Sequence, residues 1–366
     1  MKHYLEYQDS KSYKFWQAEI EASTLTVKYG KIGTAGQEKI TTFDSPEKAQ
    51  KEMAKLVAEK TKKGYVEKGA ASAKKITRRL AVSYDEAEEG KTLLEKVTAF
   101  VESAQAAEVE ALVIGSWDEP FENSPQDALD LLAQNRDKLG QLKELFVGDM
   151  DSEECEISWI MQGDYTGIFT AFPQLERLHI KGSTELILSS TPLKHDHLQS
   201  ITIECGGLPK QVIATIAKAQ LPNLNHLRIF LGVADYGFDG AMDDLRPFMQ
   251  AGLFPKLTYL GLVDSDIADQ IALEIANAPV LAQLETLDLS LGTLSDEGAR
   301  ALLDSSAIKK LKKLDLHYHF LSGEMVKEFK KMATQSAMQV DVTQQQTPED
   351  GEEDEDDVWR YPAVTE

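Results

Sequence analysis

What this chain of 366 residues lacks excludes several classes of protein. It has two cysteines, Cys155 and Cys205, which are too few for a disulfide framework or a cysteine-ligated metal site. No run approaches the roughly 18 consecutive apolar residues of a membrane helix, and the opening segment lacks the apolar stretch of a signal peptide. We therefore expect a cytoplasmic protein. With 42% hydrophobic residues, it can bury a sizeable core.

Catalytic and metal-binding patterns are missing as well. No nucleophile stands in a recognisable pattern with a base, so we expect no enzymatic activity and no cofactor. Two His-x-His pairs, His195/His197 and His317/His319, could each share a metal if they lay on strands. The sequence places no third ligand beside either pair. The preferred interpretation is ordinary surface histidines and no metal site.

One hydrophobic phrase, Leu-x-x-Leu-x-Leu, recurs through the chain after about residue 105. Its copies begin between 23 and 33 residues apart. They are Val109-Leu112-Ile114, Leu142-Leu145-Val147, Leu175-Leu178-Ile180, Leu198-Ile201-Ile203, Leu224-Leu227-Ile229, Leu257-Leu260-Leu262, Leu284-Leu287-Leu289 and Leu311-Leu314-Leu316, with a degenerate Val340-Val342. The alternation puts apolar side chains on one face of a short strand, and one unit cannot bury that face alone. The phrase therefore predicts stacked repeats with a shared core.

The segments between these strands carry helix signals. Ser295, and Ser124 before Pro125, are typical N-caps, and residues 92–107 are predicted to form a helix that caps the first repeat. The pattern resembles the ribonuclease-inhibitor type of leucine-rich repeat, whose concave sheet face usually binds a partner protein.

The chain departs from this family three residues after the last leucine of the phrase, where Asn or Cys is usual. That position holds Met150, Ser183, Gly206, Gly232, Ser265, Gly292 and His319. We therefore expect the family's buried side-chain ladder to be missing and the inner turns to be looser.

Residues 1–68 follow a different pattern. Strand-like alternation at 14–20 and 25–29 precedes a glycine-rich turn, a further strand at 38–43 and a helix begun by Ser45-Pro46. This layout resembles the WGR domain, named for its Trp-Gly-Arg turn. The matching residues are Lys14-Phe15-Trp16, Tyr29-Gly30-Lys31-Ile32-Gly33-Thr34, Gly36-Gln37, Phe43-Asp44-Ser45, Ala49 and Lys63-Gly64-Tyr65.

The resemblance implies nucleic-acid binding, since the family is best known as a DNA-end sensor in poly(ADP-ribose) polymerases. Its motif Trp stacks near the terminal nucleotide and its Arg contacts the backbone, and Tyr29 and Lys31 replace them here. Tyr29 keeps a ring that can stack, and Lys31 can meet a phosphate as a point charge. The residues predicted to contact nucleic acid are Trp16, Tyr29, Gly30, Lys31, Lys39, Lys62 and Lys63.

Charge divides the chain near the same place. Residues 1–80 contain 17 Lys or Arg and 10 Asp or Glu, a net charge of +7. Because the whole chain has a net charge of −22, residues 81–366 carry −29. A basic module on an acidic body favours electrostatic attraction of nucleic acid to the first domain. The alternative is a solvated surface without a ligand.

The acidic run at 349–357 has eight carboxylates in nine residues. Self-repulsion predicts disorder there. Three roles remain open for this tail. It could fold back over the basic domain with Trp359 and Tyr361 as an anchor, it could dock a partner through these aromatics, or it could serve only solubility.

Residues between the inward leucines of each phrase lie on the other face of the predicted sheet. Aromatic side chains beside arginine in the middle of such a face have the composition of an interface hot spot. A merely polar face is the alternative. The residues predicted to bind a partner protein are Arg177, His179, Lys181, His226, Arg228, Phe230 and Tyr259.

These patterns together predict an α/β chain in which a small α+β domain precedes an α/β solenoid. The predicted segments are a WGR-like domain at 1–68, a linker at 69–90, a leucine-rich repeat solenoid with its capping helix at 91–343, and a disordered acidic tail at 344–366. We expect a bacterial-type, non-enzymatic adaptor that contacts nucleic acid, with the DNA backbone favoured, and a partner protein. The alternative is a protein-interaction scaffold whose first domain no longer binds nucleic acid.

Overall fold

The chain folds as two compact units, Met1–Arg79 and Leu80–Glu366. The structure, a computed structural model, describes residues 2–9, 12–32, 34, 36–67, 75–336, 338–350 and 358–364. Within these ranges, no helix combines the length and the apolar character that crossing a membrane requires.

The first unit is an antiparallel sheet with one helix. Its elements are β1 (Lys2–Asp9), β2 (Ser12–Glu21), β3 (Thr24–Lys31), β4 (Gln37–Thr42), α1 (Pro46–Lys62) and β5 (Val66–Glu67). The strands lie in the order β4-β3-β2-β1-β5. The predicted helix start is confirmed, because the Ser45 side chain accepts a hydrogen bond from the Lys48 amide and Pro46 occupies the first turn.

One face of this sheet forms the core of the unit. Leu5, Trp16, Ala18 and Leu25 come from the first three strands, and Met53 of α1 packs against them. A single helix therefore covers one side of the sheet, which is the two-layer arrangement expected of a small α+β domain.

The second unit is a ten-stranded sheet in which strands follow one another in chain order. The strands are β6 (Thr77–Leu80), β7 (Ala111–Ile114), β8 (Glu144–Val147), β9 (Arg177–Lys181), β10 (Ser200–Glu204), β11 (His226–Gly232), β12 (Tyr259–Ser265), β13 (Thr286–Asp288), β14 (Lys313–Asp315) and β15 (Gln339–Asp341). From β7 to β15 every neighbouring pair is parallel. The unit boundary falls within β6.

Helices connect most of these strands. They are α2 (Tyr84–Glu88), α3 (Leu93–Glu102), α4 (Gln126–Gln134), α5 (Thr166–Ala171), α6 (Lys210–Ala217), α7 (Met242–Leu245), α8 (Ala268–Ile275), α9 (Asp296–Asp304) and α10 (Gly323–Gln335). The N-cap prediction at Ser295 is confirmed, because Ser295 caps α9. The helix predicted within 92–107 begins with Thr92, which caps α3 in a capping box. Near residue 125 the prediction was one position early, since Pro125 itself is the N-cap of α4.

The leucine phrase sets the register of this sheet. Its middle positions are hydrogen-bonded neighbours from strand to strand and at most 1% exposed. They are Leu112, Leu145, Leu178, Ile201, Leu227, Leu260, Leu287 and Leu314. A shift by one residue would move a whole row to the other face of its strand, so burial fixes the pairing.

The segment predicted as a linker, 69–90, is partly structured. Residues 77–80 form β6 and residues 84–88 form α2, whose N-cap Ser83 makes a full capping box with Glu86. The basic pair Arg78-Arg79 disguised the strand in the sequence, since charged residues are atypical of a buried sheet. Residues 68–74 lie outside the described residues.

The tail prediction needs a similar correction. Glu349–Asp350 (β16) pairs antiparallel with Val358–Trp359 (β17), and residues 358–364 are placed in the second unit. The acidic residues 351–357 lie outside the described residues. Compositional reasoning extended the disorder of the charged run to residues 358–364, although this segment contains no acidic residue.

Close backbone contacts occupy the inner turns where the family would have its asparagine ladder. Gly232, with φ +71°, lies so near the preceding repeat that a β-carbon would overlap the Gly206 carbonyl oxygen. The Ser183 hydroxyl donates to the Gly207 carbonyl at 2.6 Å. These turns are tightly packed, and the expectation of looser turns is wrong at this point of the array.

We predict that Gly232→Ala lowers the free energy of unfolding by more than about 3 kcal/mol, because the new methyl clashes with backbone that has no room to move. Gly252→Ala is the matched control, since Gly252 also has positive φ (+86°) but open space around it, and it should cost only about 1 kcal/mol. Urea denaturation measures both variants, and equal losses would contradict the packing explanation.

Candidate nucleic-acid and partner-binding surfaces

Trp16 is a core residue and does not contact nucleic acid. Its side chain is 2% exposed and lies among Leu5, Leu25 and Met53 beneath α1. The prediction was wrong because a residue can belong to a family motif either for packing in the core or for binding a ligand. The sequence match alone does not distinguish these two roles. A ring that is buried this deeply cannot stack on a base without unfolding the domain.

Tyr29 and Lys31 do lie at the surface. Tyr29 is the cross-strand partner of Trp16 and is 42% exposed, so its ring is open to stacking on the same face of the sheet. Gly30 points to the opposite face and serves the turn, because a β-carbon there would lie 2.8 Å from the Cα of Gly36. The turn glycine is therefore explained by chain packing.

Four lysines form a group that we call the lysine cluster: Lys14, Lys31, Lys60 and Lys63. Lys14 and Lys31 are cross-strand partners on β2 and β3. Partial burial and the charges of Lys63 and Lys14 lower the pKa of Lys60, so the end of α1 and strand β2 bring cations close together. The Lys60 Nζ also lies 4.8 Å from the centroid of the Tyr65 ring.

Pairing distinguishes this cluster from three other lysines of the unit. Lys28, Lys48 and Lys55 each have a carboxylate within 4 Å, at 3.5 Å, 2.6 Å and 3.8 Å. Within the described ranges, none of the four clustered lysines forms an ion pair. Grouped cations that repel one another and have no acidic partner are the pattern of an anion-binding surface.

The other predicted lysines lie apart from the cluster. Lys39 is exposed on β4, opposite Val27 and two strands away from Lys14. Lys62 is exposed on α1, but a residue two positions from Lys60 points to a different side of the helix. The basic run at 60–64 is visible in the sequence, since Lys60 and Lys63 lie one turn apart at the end of α1. Lys14 was missed, because its pairing with Lys31 across β2 and β3 is not displayed by the linear sequence.

In the second unit, the face of the sheet opposite the leucines carries stacked side chains on β8 to β12. The His179 ring stacks on Phe146 at 3.8 Å, and the His226 ring stacks on Tyr259 at 4.0 Å. Each pair joins register partners on neighbouring strands. Arg177 is half exposed and pairs with Glu144, and the Lys181 ammonium donates to the Met150 carbonyl. This set of side chains is the predicted partner-binding group, brought together by the parallel register.

Part of that group is engaged in a partly buried polar network. Arg228 Nε lies 3.1 Å from Asp288 Oδ2, and the Tyr259 hydroxyl donates to the same oxygen. Despite the cost of burial, the charge of Asp288 raises the pKa of Arg228. Phe230 is only 4% exposed beneath the Arg228 guanidinium, at 4.6 Å. Phe230 is therefore an error in the predicted interface, because alternation indicates its face but not how deeply its neighbours cover it.

Glu204 anchors the exposed side of this network. Its carboxylate lies 3.0 Å from His179 Nε2. Although burial opposes ionisation, the charges of His179, Arg228 and Lys181 hold the pKa of Glu204 at about 2. This carboxylate is ionised at neutral pH and fixes the cationic half of the face.

The His-x-His pairs do not converge on a metal. His195 is buried, donates from Nε2 to the Phe172 carbonyl at 3.0 Å and accepts the Leu198 amide at Nδ1. His319 is also buried and accepts the Leu321 amide. The interpretation as surface histidines is thus wrong for these two, which stabilise turns.

One group of potential ligands does come together elsewhere. Asp315, His317 and Asp341 offer atoms within 4.8 Å of one another, but Lys313 and His317 already bind both oxygens of Asp315, each at 2.7 Å. Both carboxylate oxygens of Asp315 therefore already have partners within the protein, one of them a cation.

Comparison with known proteins agrees with this division. Residues 1–72 match the WGR domain, so the first unit is a WGR domain, a module of the nucleic-acid-binding type. Two proteins of Escherichia coli (strain K12) are similar to part of the chain. Protein YehF is 33% identical over 117 residues, which are 32% of this chain and 42% of that protein. Uncharacterized protein YfeS is 46% identical over 67 residues, 18% of this chain and 28% of that protein. The chain thus spans less than half the length of either relative.

The full chain has a solved relative. A Bacteroides fragilis protein whose crystal structure was determined by a structural genomics consortium is 40% identical, with a TM-score of 0.78, and the match covers 95% of this chain and 97% of that one. The chain belongs to the same protein family as this Bacteroides protein.

We predict that Glu204→Gln lowers the free energy of unfolding at pH 7 by about 2 kcal/mol, because the partly buried basic groups around it lose their counter-charge. The native pKa of about 2 is below the ordinary 4.5, so this stabilisation is present above pH 4.5 and is lost as the pH falls towards 2. Urea denaturation at pH 7 and 3.5 should show the difference from wild type shrinking. Glu285→Gln, from the exposed pair with Lys312, should change stability by less than about 0.5 kcal/mol; a difference for Glu204→Gln that is equally large at both pH values would contradict the ionisation argument.

Proposed function

We propose that this protein is a non-enzymatic adaptor. Its WGR domain contacts the backbone of nucleic acid, with DNA favoured, and its second unit is a leucine-rich repeat solenoid that binds a partner protein on the sheet face opposite the leucines. The observation that carries the nucleic-acid half is the lysine cluster, Lys14, Lys31, Lys60 and Lys63, which is unpaired among the described residues.

The chemistry of the cluster suits a phosphate backbone. Lysine meets phosphate as a point charge and carries little base specificity. The exposed Tyr29 ring, on the same face, adds a stacking surface that tolerates any base. The net charge of +7 over residues 1–80 attracts a polyanion, whereas −29 over the remainder repels it, so contact is directed to the first unit.

The sheet of the second unit supports the solenoid part of the proposal. Its strands follow chain order in parallel pairs, helices return between them, and successive phrases share one core. These are the features of the leucine-rich repeat family, whose open sheet face recruits proteins. The residues that we assign to the partner site are those whose side chains remain at least partly exposed: Arg177, His179, Lys181, His226, Arg228 and Tyr259.

One observation favours the alternative, a scaffold without nucleic-acid binding. The motif Trp and Arg are replaced by Tyr29 and Lys31, and Trp16 is in the core. If these changes abolished nucleic-acid contact, the lysine cluster would be a solvated surface only.

The proposal predicts that Lys14→Ala/Lys31→Ala/Lys63→Ala weakens binding of the full chain to a fluorescein-labelled DNA duplex about tenfold or more at 50 mM salt, because each lysine contact releases counterions from the backbone. Fluorescence anisotropy measures the affinity. Lys60 is left intact because it packs on Tyr65.

The matched control is Lys28→Ala/Lys48→Ala/Lys55→Ala, which removes the same charge from paired positions of the same unit. It should weaken binding less than about threefold. Equal losses of affinity in both triple variants would mean that binding depends on the net charge of the unit and not on the lysine cluster. If the wild-type chain does not bind DNA at low salt, the alternative function, a protein-interaction scaffold, is supported instead.

A further inference from the structure

The C-terminal segment 360–364 lies across the carboxyl ends of three consecutive strands. The Tyr361 carbonyl accepts from the Tyr318 hydroxyl at 3.2 Å. The Ala363 amide donates to the Leu291 carbonyl at 2.8 Å, and the Val364 amide donates to Asp264 Oδ1 at 2.8 Å. The segment therefore crosses the repeats one after another, held mainly through its own backbone.

The three receptor residues occupy one equivalent position of the repeat. Asp264, Leu291 and Tyr318 are 27 residues apart and have φ of +55°, +68° and +57°. Left-handed backbone costs a non-glycine residue about 1 kcal/mol or more, and such residues cluster at ligand clamps. Three consecutive repeats keep this conformation where the segment docks.

Asp264 gives an independent indication of a ligand. Its side chain is 0% exposed, Oδ1 accepts only from the segment, and Oδ2 has no hydrogen-bond partner among the described residues. A buried carboxyl group is costly unless donors satisfy it. Packing of the repeats alone does not require an acid here, whereas an extended peptide supplies the backbone donor that Asp264 receives.

The side chains of the segment are matched to their surroundings too. Arg360 Nη1 lies 3.4 Å from Asp269 Oδ2 and from the Thr293 carbonyl. Pro362 is buried, and proline holds the chain extended at little entropic cost. Val364 packs against the core of the second unit. Trp359 and Tyr361 remain about half exposed, so the specificity lies in the cation, the proline and the small apolar end.

We infer that Asp264, Asp269, Leu291, Thr293 and Tyr318 form a peptide-binding site for an extended segment of the type Arg-aromatic-Pro-small-aliphatic, and that residues 360–364 are its resident ligand. This strand-end site is distinct from the stacked rings on β8 to β12 and does not rest on the adaptor function. Once the resident segment is released, the site accepts the same sequence from outside the chain.

The test uses the full chain with Arg360→Ala/Ala363→Pro, which removes the cation of the resident segment and the Ala363 amide that donates to Leu291. Hydrogen exchange should show that the Val364 amide exchanges faster than in the wild-type chain. A labelled peptide of residues 358–364 should then bind the double variant saturably by fluorescence anisotropy, and bind the wild-type chain at least about tenfold more weakly. The control peptide with Ala363→Pro should not bind.

Three results would overturn the inference. They are an unchanged exchange rate of the Val364 amide in the double variant, no binding of the peptide to a variant whose own segment is released, or equal binding to wild type and double variant. If the double variant loses its cooperative thermal transition, Tyr318→Phe in the full chain decides. Faster exchange of the Ala363 and Val364 amides, by about threefold to tenfold for one lost hydrogen bond, supports the site, and unchanged exchange rejects it.

Discussion

The second unit depends on one constraint, which is that a single strand-and-helix repeat cannot bury its own leucines. Stacking solves this by placing the phrase of each repeat beside that of the next, at hydrogen-bonding distance and in parallel register. Leu145, Leu178 and Ile201 illustrate the result, since each is fully buried only because its neighbours cover it. The tight turns follow from the same demand, and at Gly232 the repeats approach so closely that no side chain fits.

A sheet that buries one face in this way leaves the other face free for function, and the chain uses that face unevenly. At β8 to β10 the alternate residues stay at least partly exposed, whereas at β12 residues 260–265 are buried on both sides. The C-terminal segment meets the array in this second region, at Asp264 and Leu291. The open stretch around His179 and His226 is therefore the part of the face available to a partner. The WGR domain is a smaller example of the same arrangement, because α1 covers one face of its sheet and the lysine cluster lies beside the end of this helix.

Period and alternation were sufficient to predict the strands of the second unit, the strands of the first unit and several helix starts, because these follow from local spacing and capping. Side-chain roles were harder to predict wherever they depend on contacts between distant residues. Trp16 matched a family motif, yet Met53 of α1, which is distant from it in the sequence, packs over it in the core. Phe230 lies on the predicted face, yet Arg228 covers it.

The same reason explains what the sequence left hidden. The lysine cluster exists only through the pairing of Lys14 with Lys31 and their approach to the end of α1. The docking of residues 360–364 depends on contacts with Asp264, Leu291 and Tyr318, which are far from the segment in sequence. No local sequence pattern predicts which residues the segment contacts.

The central proposal is that the exposed part of the sheet face is where this protein meets a partner protein. The most direct test places a photo-crosslinking amino acid at Ser200, which lies between Arg177 and His226 in the sheet, in the full chain expressed in its native cell. The matched position is Gln211 on α6 of the same repeat, which is exposed on the helical side. The account predicts one discrete adduct from position 200 and none from position 211. The same adducts from both positions, or none from position 200, would contradict it.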